Sequence, residues 1–451
     1  MGRPQACLAR HFAIGLLAAS AVQAGTFAPL RYDDDFSQPP ASDDFYAQLK
    51  HLRLGDDAYL SIGGDLRERA EYFSRANVRG NTAENYGLLM HRLLIHADLH
   101  WDWLRAFVQL GNYEENGRKP GPKPTDVDHL DIRQGFIDVN IPVGDDALVL
   151  RGGRQELAFG ASRLVSARDG PNIRIAFDGA QLLFKSAQWK LTALAVHPAE
   201  NLPGHFDDAT NRDDALWGLY STYREGGLST DLYYFGSTFA DIRFDSIEGR
   251  EHRATFGARL YGSSGGFDGD TELFYQNGGI GNLDIRAFAW ATDFGWTWHE
   301  AAWRPRIGLR TDVISGDRNP HDGTLGTFNA LYPTGSYFSE ASVLAQANLI
   351  DFSASLAAKP IASLTLSLAI NPLWRYSTKD ALYTLPLSPL IAGSTSSARY
   401  IGTQSQLMGV WQANPYLSFK VALVKFDAGT FVDKAGGKNL DYAQFATSMR
   451  F

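Results

Sequence analysis

Residues 151–179 read RGGRQELAFGASRLVSARDGPNIRIAFDG. They hold Arg151, Arg154, Arg163, Arg168 and Arg174 beside Glu156, Asp169 and Asp178, with no lysine. Arginine stays charged and presents a planar fork of donors that grips carboxylates in pairs. Such a cluster suits an active site, an anion clamp or a solvated loop. Covalent chemistry needs further groups, and the sequence does not single them out. There is no HExxH or CxxC metal motif and no GxSxG nucleophile elbow. The carboxylates are scattered, so no glycosidase pair stands out. His91, His96 and His100 lie close in sequence. His96 and His100 share a face at strand spacing and could bind a cation, but a polar wall uses the same residues, and that is the reading taken. No catalytic residue, no metal set and no cofactor is expected.

The elements that would position the arginines are strands. From about residue 59 the chain alternates apolar and polar residues with a period of two. In 88–101, Leu89, His91, Leu93, Ile95, Ala97, Leu99 and Trp101 fall on one face, and Arg92, His96, Asp98 and His100 on the other. The same alternation recurs at 60–72, 102–113, 130–140, 147–159, 173–185, 188–197, 215–224, 228–238, 250–261, 267–277, 285–298, 304–313, 346–357, 363–375, 399–411, 415–426 and 441–451. The fold class expected is all-β: a transmembrane antiparallel β-barrel of about 18 strands, of outer-membrane type. Its strands reach the ~10 residues that a tilted membrane strand needs. Aromatic residues gather at strand ends, among them Trp101, Trp103, Trp296, Trp298, Trp374, Tyr376, Tyr400, Trp411 and Tyr416, where interfacial girdles sit. The last strand ends on Phe451, a terminal residue of the kind that barrel-assembly machinery reads. Polar stretches 114–128, 198–214, 315–345 and 377–398 read as loops.

Targeting agrees. Arg3 and Arg10 precede the apolar run FAIGLLAASAV, and Val22-Gln23-Ala24 offers a cleavage site, so residues 1–24 read as a signal peptide. Residues 25–58 read as an irregular N-terminal periplasmic segment with a short helix near 44–50, and 59–451 as the barrel. The only cysteine, Cys7, falls in the signal. Removing residues 1–24 takes away two arginines and no acid, which moves the net charge from −8 to −10. That balance argues against nucleic acid as a partner. No later segment carries the long apolar run of a membrane helix. The location that follows is the outer membrane of a Gram-negative bacterium, with membrane lipid as a partner.

On strand parity, arginines line the lumen: Arg67 and Arg69, Arg92, Arg105, Arg133, then Arg174 and Arg310. Arg151 and Arg154 fall on opposite faces of one strand unless a bulge intervenes, and Gly152-Gly153 offers one. Acids Glu68, Asp98, Asp138, Glu156, Asp178, Glu272 and Asp312 would hold them. Rings of arginine select anions. The alternative left open is a generic porin lumen, in which arginines face acids without a dedicated cargo. An outer-membrane barrel enzyme is a third reading.

The stretch GRQELAFGASRLVSARDGPNIRIAFDG resembles the corresponding segment of the alginate-export outer-membrane porin family. So does 315–338, SGDRNPHDGTLGTFNALYPTGSYF, and the strand starts GDLRERAEY (64–72) and LDIRQGFIDV (130–139) fit as well. The likeness spans roughly residues 59–451. It implies a monomeric 18-stranded barrel with an electropositive constriction, gated by loops, that passes a polyuronate or other anions. Periplasmic secretion partners would accompany such export. By position, Arg154, Arg163, Arg168 and Arg174 match the motif arginines, and Glu156, Asp169 and Asp178 the motif acids. The expected connection between strands, 160–172, places Arg163, Arg168 and Asp169 either in the pore or outside it.

Overall fold

The computed structural model describes residues 27–39, 44–75, 78 and 85–451. The expected signal peptide, 1–24, lies outside the described residues. The barrel strands, in chain order, are β1 Ala58–Ser74, β2 Tyr86–Trp101, β3 Leu104–Asn116, β4 Asp128–Val143, β5 Asp146–Gln155, β6 Phe177–Lys185, β7 Trp189–Glu200, β8 Ala215–Glu225 and β9 Leu228–Arg243. They continue as β10 Glu248–Ser264, β11 Phe267–Ile280, β12 Leu283–Thr297, β13 Arg306–Ile314, β14 Leu349–Ile361, β15 Leu364–Arg375, β16 Tyr400–Gln412, β17 Leu417–Ala428 and β18 Leu440–Arg450. Each expected strand segment corresponds to one of these. Every strand pairs antiparallel with its sequence neighbours, and β1 closes on β18 from Asp65↔Arg450 to Ser74↔Asp441. Closure leaves no strand of the wall without a neighbour on both sides, which is what a strand-built wall in lipid requires.

The period-two pattern sorts the faces. Leu150, Leu182, Leu219, Leu232, Leu273, Leu368, Leu407 and Leu423 are all exposed on the outer wall, a band of apolar surface too large for water and suited to lipid. Trp101, Trp103, Trp189, Trp296, Trp298, Trp303 and Trp411 ring the end where most connections are short turns. The opposite end carries the long connections, 117–127, 156–176, 201–214, 315–348, 376–399 and 429–439. In barrels of this kind that is the extracellular end.

The lumen is not a plain polar tube. Loops 156–176 and 315–348 fold into it and meet at a parallel bridge between Val165 and Tyr332. Their Leu157, Leu164, Val165, Phe328, Leu331 and Tyr332 pack on lumen-facing Leu216, Tyr220, Tyr233, Phe235 and Phe274 of β8, β9 and β11, forming an apolar core inside the barrel. The expected strand ends at 147–159 and 173–185 are therefore too long. The wall stops at Gln155 and restarts at Phe177, because Glu156 and Arg174 pair with each other at 3.0 Å as the chain turns inward. Gly153 and Gly179 face each other at this point with φ of +133° and +154°. A Cβ on either would strike the backbone of the next strand, so glycine lets the wall close up where the loop departs.

The N-terminal segment was expected as a lead-in. It has the expected short helix, Phe45–Gln48, capped by Asp44, whose carboxylate accepts from the Ala47 N–H at 2.9 Å. Unexpectedly, residues 27–34 enter the turn end of the lumen. Leu30 and Tyr32 pack on Phe107, Phe136 and Ala167. Arg31 donates to the carbonyls of Gly64 and Phe451, both at 2.9 Å, and Tyr32 donates its hydroxyl to the Glu156 carbonyl at 2.7 Å.

Candidate functional site

Two chambers lie along the barrel axis. The turn-end chamber, of about 300 Å³, is lined in part by Arg67, Arg69, Arg168, Arg174, Lys420 and Arg450, together with the acids Asp169 and Glu340. The loop-end chamber, of about 440 Å³, holds Arg69, Arg118, Lys123 and Arg168 against Glu71, Asp126 and Glu340, beside Phe73, Tyr86 and Met90. Both are the size of small-ligand pockets. They share Arg69, Arg168, Gly170, Glu340 and Gln444, which border both. Lumen-facing Ala446 and Ser448 of β18 and Ser418 of β17 are small, which leaves the turn-end chamber its room on that side.

The connection after β5 thus enters the pore. Its anchor is Asp169, whose carboxylate lies 2.9 Å from Arg92, 3.5 Å from Arg67 and 3.9 Å from Arg174. Burial alone would raise that carboxyl; Arg92, then Arg67 and Arg174, hold it well below its ordinary range. Arg67 also donates to the Asp169 and Pro171 carbonyls at 3.0 and 3.2 Å. Arg168, one residue away and at φ +52°, is different. It donates to the Leu331 carbonyl at 3.2 Å and lies over the Tyr332 ring at 5.4 Å, and no carboxylate pairs with it among the described residues. Burial lowers it to about 10, so it is still a cation at neutral pH. Arg69 is paired with Glu71 at 3.0 Å. Glu340 is held by Lys420 at 2.7 Å.

The other expected site residues serve different ends. Arg163 is buried and ion-paired to Asp270 at 2.9 Å and Glu272 at 2.6 Å on β11, pinning the loop to the wall. Arg310 contacts Asp351 at 3.2 Å and donates to the Tyr337 carbonyl at 2.8 Å, holding the second inward loop. Arg105 grips Asp98 at 2.7 and 2.8 Å and donates to the Tyr32 carbonyl at 2.6 Å, so it secures the N-terminal segment. Arg133 is buried at the loop end of β4, 2.7 Å from Asn201 and 3.7 Å from Asp208.

Three expected placements need correction. Arg154 and Asp178, paired at 2.7 and 3.0 Å, do not line the lumen. The β4–β5 and β5–β6 pairings run without a bulge here, so Arg154 shares the outer face of Leu150, and Asp178 that of Leu182. Glu68 is likewise outside, 2.5 Å from His91. The two histidines that share a face do not converge on a cation: His96 stacks on Phe107 at 5.4 Å and His100 on Tyr59 at 4.4 Å. Glu340, Gln444, Lys420 and Arg450 went unnoticed in the sequence. For Gln444 and Lys420 the signal was there, a polar residue on the lumen parity of the last two strands.

A closed antiparallel barrel with an apolar outer band, an aromatic girdle and inward loops beside charged chambers defines an outer-membrane channel of porin type. The chain belongs to the alginate export family, which matches residues 58–446. Among solved structures it is similar in fold to three Pseudomonas aeruginosa channels. OccD3 (OpdP) has a TM-score of 0.57 at 13% identity, over 86% of this chain and 91% of that one. OccK11 (OpdR) has 0.54 at 12%, over 87% and 96%. OccK2 (OpdF), solved in complex with glucuronate, has 0.55 at 10%, over 87% and 96%. No curated protein matches significantly.

Proposed function

We propose that this channel passes organic anions, uronates and acidic oligosaccharide chains among them, passively across the outer membrane of a Gram-negative bacterium. It acts as a monomer. The observation that supports this reading is Arg168, which borders both chambers with no carboxylate paired to it among the described residues, beside Arg67, Arg69, Arg174, Lys420 and Arg450, each of which an acid already holds. A carboxylate solute exchanges hydration for guanidinium contacts in the chamber and passes Arg168 into the other. Glu340 opposite keeps the binding weak enough to release, as conduction requires. The chambers as they stand suit small solutes. A polymer would need the inward loops and residues 27–34 to shift, which is where periplasmic secretion partners would act. Phe451 is the contact offered to barrel-assembly machinery.

The test is planar-bilayer conductance under a salt gradient. The wild-type protein is expected to be anion-selective, with current lowered by glucuronate. Arg168→Ala should lower the anion-to-cation permeability ratio about tenfold, since a unit charge at about 6 Å in a water-like dielectric favours an anion and opposes a cation by roughly 0.7 kcal/mol each. Cation selectivity in the wild type, or a ratio unmoved in Arg168→Ala and in the Arg69→Ala/Arg168→Ala pair, would leave the reading without support and favour a generic porin.

A further inference from the structure

At the loop end of β4, four carboxylates converge. Asp128 and Asp131 come from the strand, Asp207 and Asp208 from loop 201–214, and one oxygen of each lies within 4.8 Å of the others. The loop is seated on the strand by its backbone: the N–H groups of Asp207 and Asp208 donate to Asp131 Oδ2 at 2.7 and 3.0 Å, and the N–H of Phe206 to the Leu130 carbonyl at 3.2 Å. Asp208 Oδ1 accepts from the Leu202 N–H at 2.9 Å. These bonds bring carboxylates together but do not neutralise them. Arg133 and Arg154 stand 3.7 and 3.6 Å from Asp208 Oδ2, and Arg154 is already committed to Asp178 through two hydrogen bonds.

A second observation points to a ligand. Asp128 is 1% exposed, and neither of its oxygens has a hydrogen-bond partner; Asp208 Oδ2 has none either. No cation pairs with Asp128 among the described residues. Leaving a buried carboxylate unpaired is costly. Asp207, by contrast, is exposed and opens the group to solvent.

We infer that Asp128, Asp131, Asp207 and Asp208 form a calcium site that clips loop 201–214 to the barrel wall. Oxygens bound to one Ca²⁺ sit about 2.3–2.6 Å from it, hence up to about 5 Å apart, and Ca²⁺ accepts irregular sets of carboxylates and water. The observed spacing needs no rearrangement beyond that. An all-oxygen donor set also disfavours zinc and copper, which take nitrogen and sulfur. The clip sits where it has work to do. β5 and β6 leave the wall early, and loop 201–214 lies against the stretch of β4 that they do not reach.

The experiment uses the full-length protein folded in zwitterionic detergent free of lipopolysaccharide, stripped with chelator, and titrated with CaCl₂ by calorimetry. Amide hydrogen exchange of peptides covering 201–214 is followed in parallel. The wild type should bind one equivalent with a dissociation constant on the order of 10⁻⁴–10⁻³ M, and exchange in the loop should slow. Asp207→Asn changes an exposed residue and tests the site where Asp128→Asn impairs folding; each should weaken binding about tenfold or more and abolish the slowing, while Asp213→Asn should change neither. Absence of saturable binding in the wild type, or binding unchanged in both Asp207→Asn and Asp128→Asn, would overturn the site.

Discussion

At the scale of single residues, the arginines divide by whether an acid already holds them. Arg163, Arg105 and Arg310 are spent on structure, whereas no acid holds Arg168 among the described residues. Asp169 stands between the two roles, since it anchors the loop and shields three arginines. Its side chain is about half in water, so Asp169→Asn should loosen the loop by about 1–3 kcal/mol, less than the ~3–5 of a fully buried pair. The variant should show frequent gating in single-channel records and stronger anion selectivity. The pH dependence has a definite sign. A carboxyl held below its unfolded value of about 3.9 stabilises above that pH and loses its effect only as pH falls through the depressed value. Wild-type gating should therefore be nearly the same at pH 3.5 and pH 7, because an ordinary carboxyl would be mostly protonated at the lower pH and this one is not. A rise between them that Asp169→Asn lacks would show that Asp169 titrates normally and is not held by Arg92.

At the scale of elements, the strands were legible and the loops were not. A wall strand is specified locally: Leu89, Leu93 and Ile95 against Arg92 and His96 declare a face within a few residues. The inward course of 156–176 depends on partners far away, because Arg163 finds Asp270 and Glu272 at separations of 107 and 109 residues. Tyr32 sits in the run RYDDDF, which reads as solvated, and its partner carbonyl is 124 residues on. The outward turn of Arg154 was readable from parity, but the two preceding glycines left a bulge open. The loop anchors give a direct test. Arg163→Gln leaves Asp270 with Arg259 and Glu272 with the Tyr233 hydroxyl, yet removes the cation that both share. The ladders of β5 and β6 do not depend on it. The variant should keep the heat-resistant electrophoretic mobility of a folded barrel while its single-channel conductance rises. An unchanged conductance would mean that the apolar packing of Leu164 and Val165 suffices to hold the loop in.

At the scale of the whole molecule, the lumen is filled on one side and open on the other. Loops packed on Tyr220, Tyr233 and Phe274 make β8–β11 the back of an apolar core, while Ser418, Ala446 and Ser448 on β17 and β18 leave the route clear. A barrel of this girth would otherwise hold a wide aqueous channel, so this asymmetry sets the size and charge of what can pass. It also fixes which wall a permeating solute touches. Because Cys7 is the chain's only cysteine and falls in the expected signal, introduced thiols report one position at a time. Ser448→Cys lies on the open side and should react with a charged methanethiosulfonate from the turn end, with a lasting fall in current. A negatively charged reagent should lower anion current more than a positive one, since the added charge sits among Arg67, Arg174 and Arg450. Thr255→Cys, fully buried behind Gln276 and the second inward loop, should stay unmodified. Equal reactivity at both positions would mean that the loops leave the lumen in the membrane, and that the wall arginines select without them.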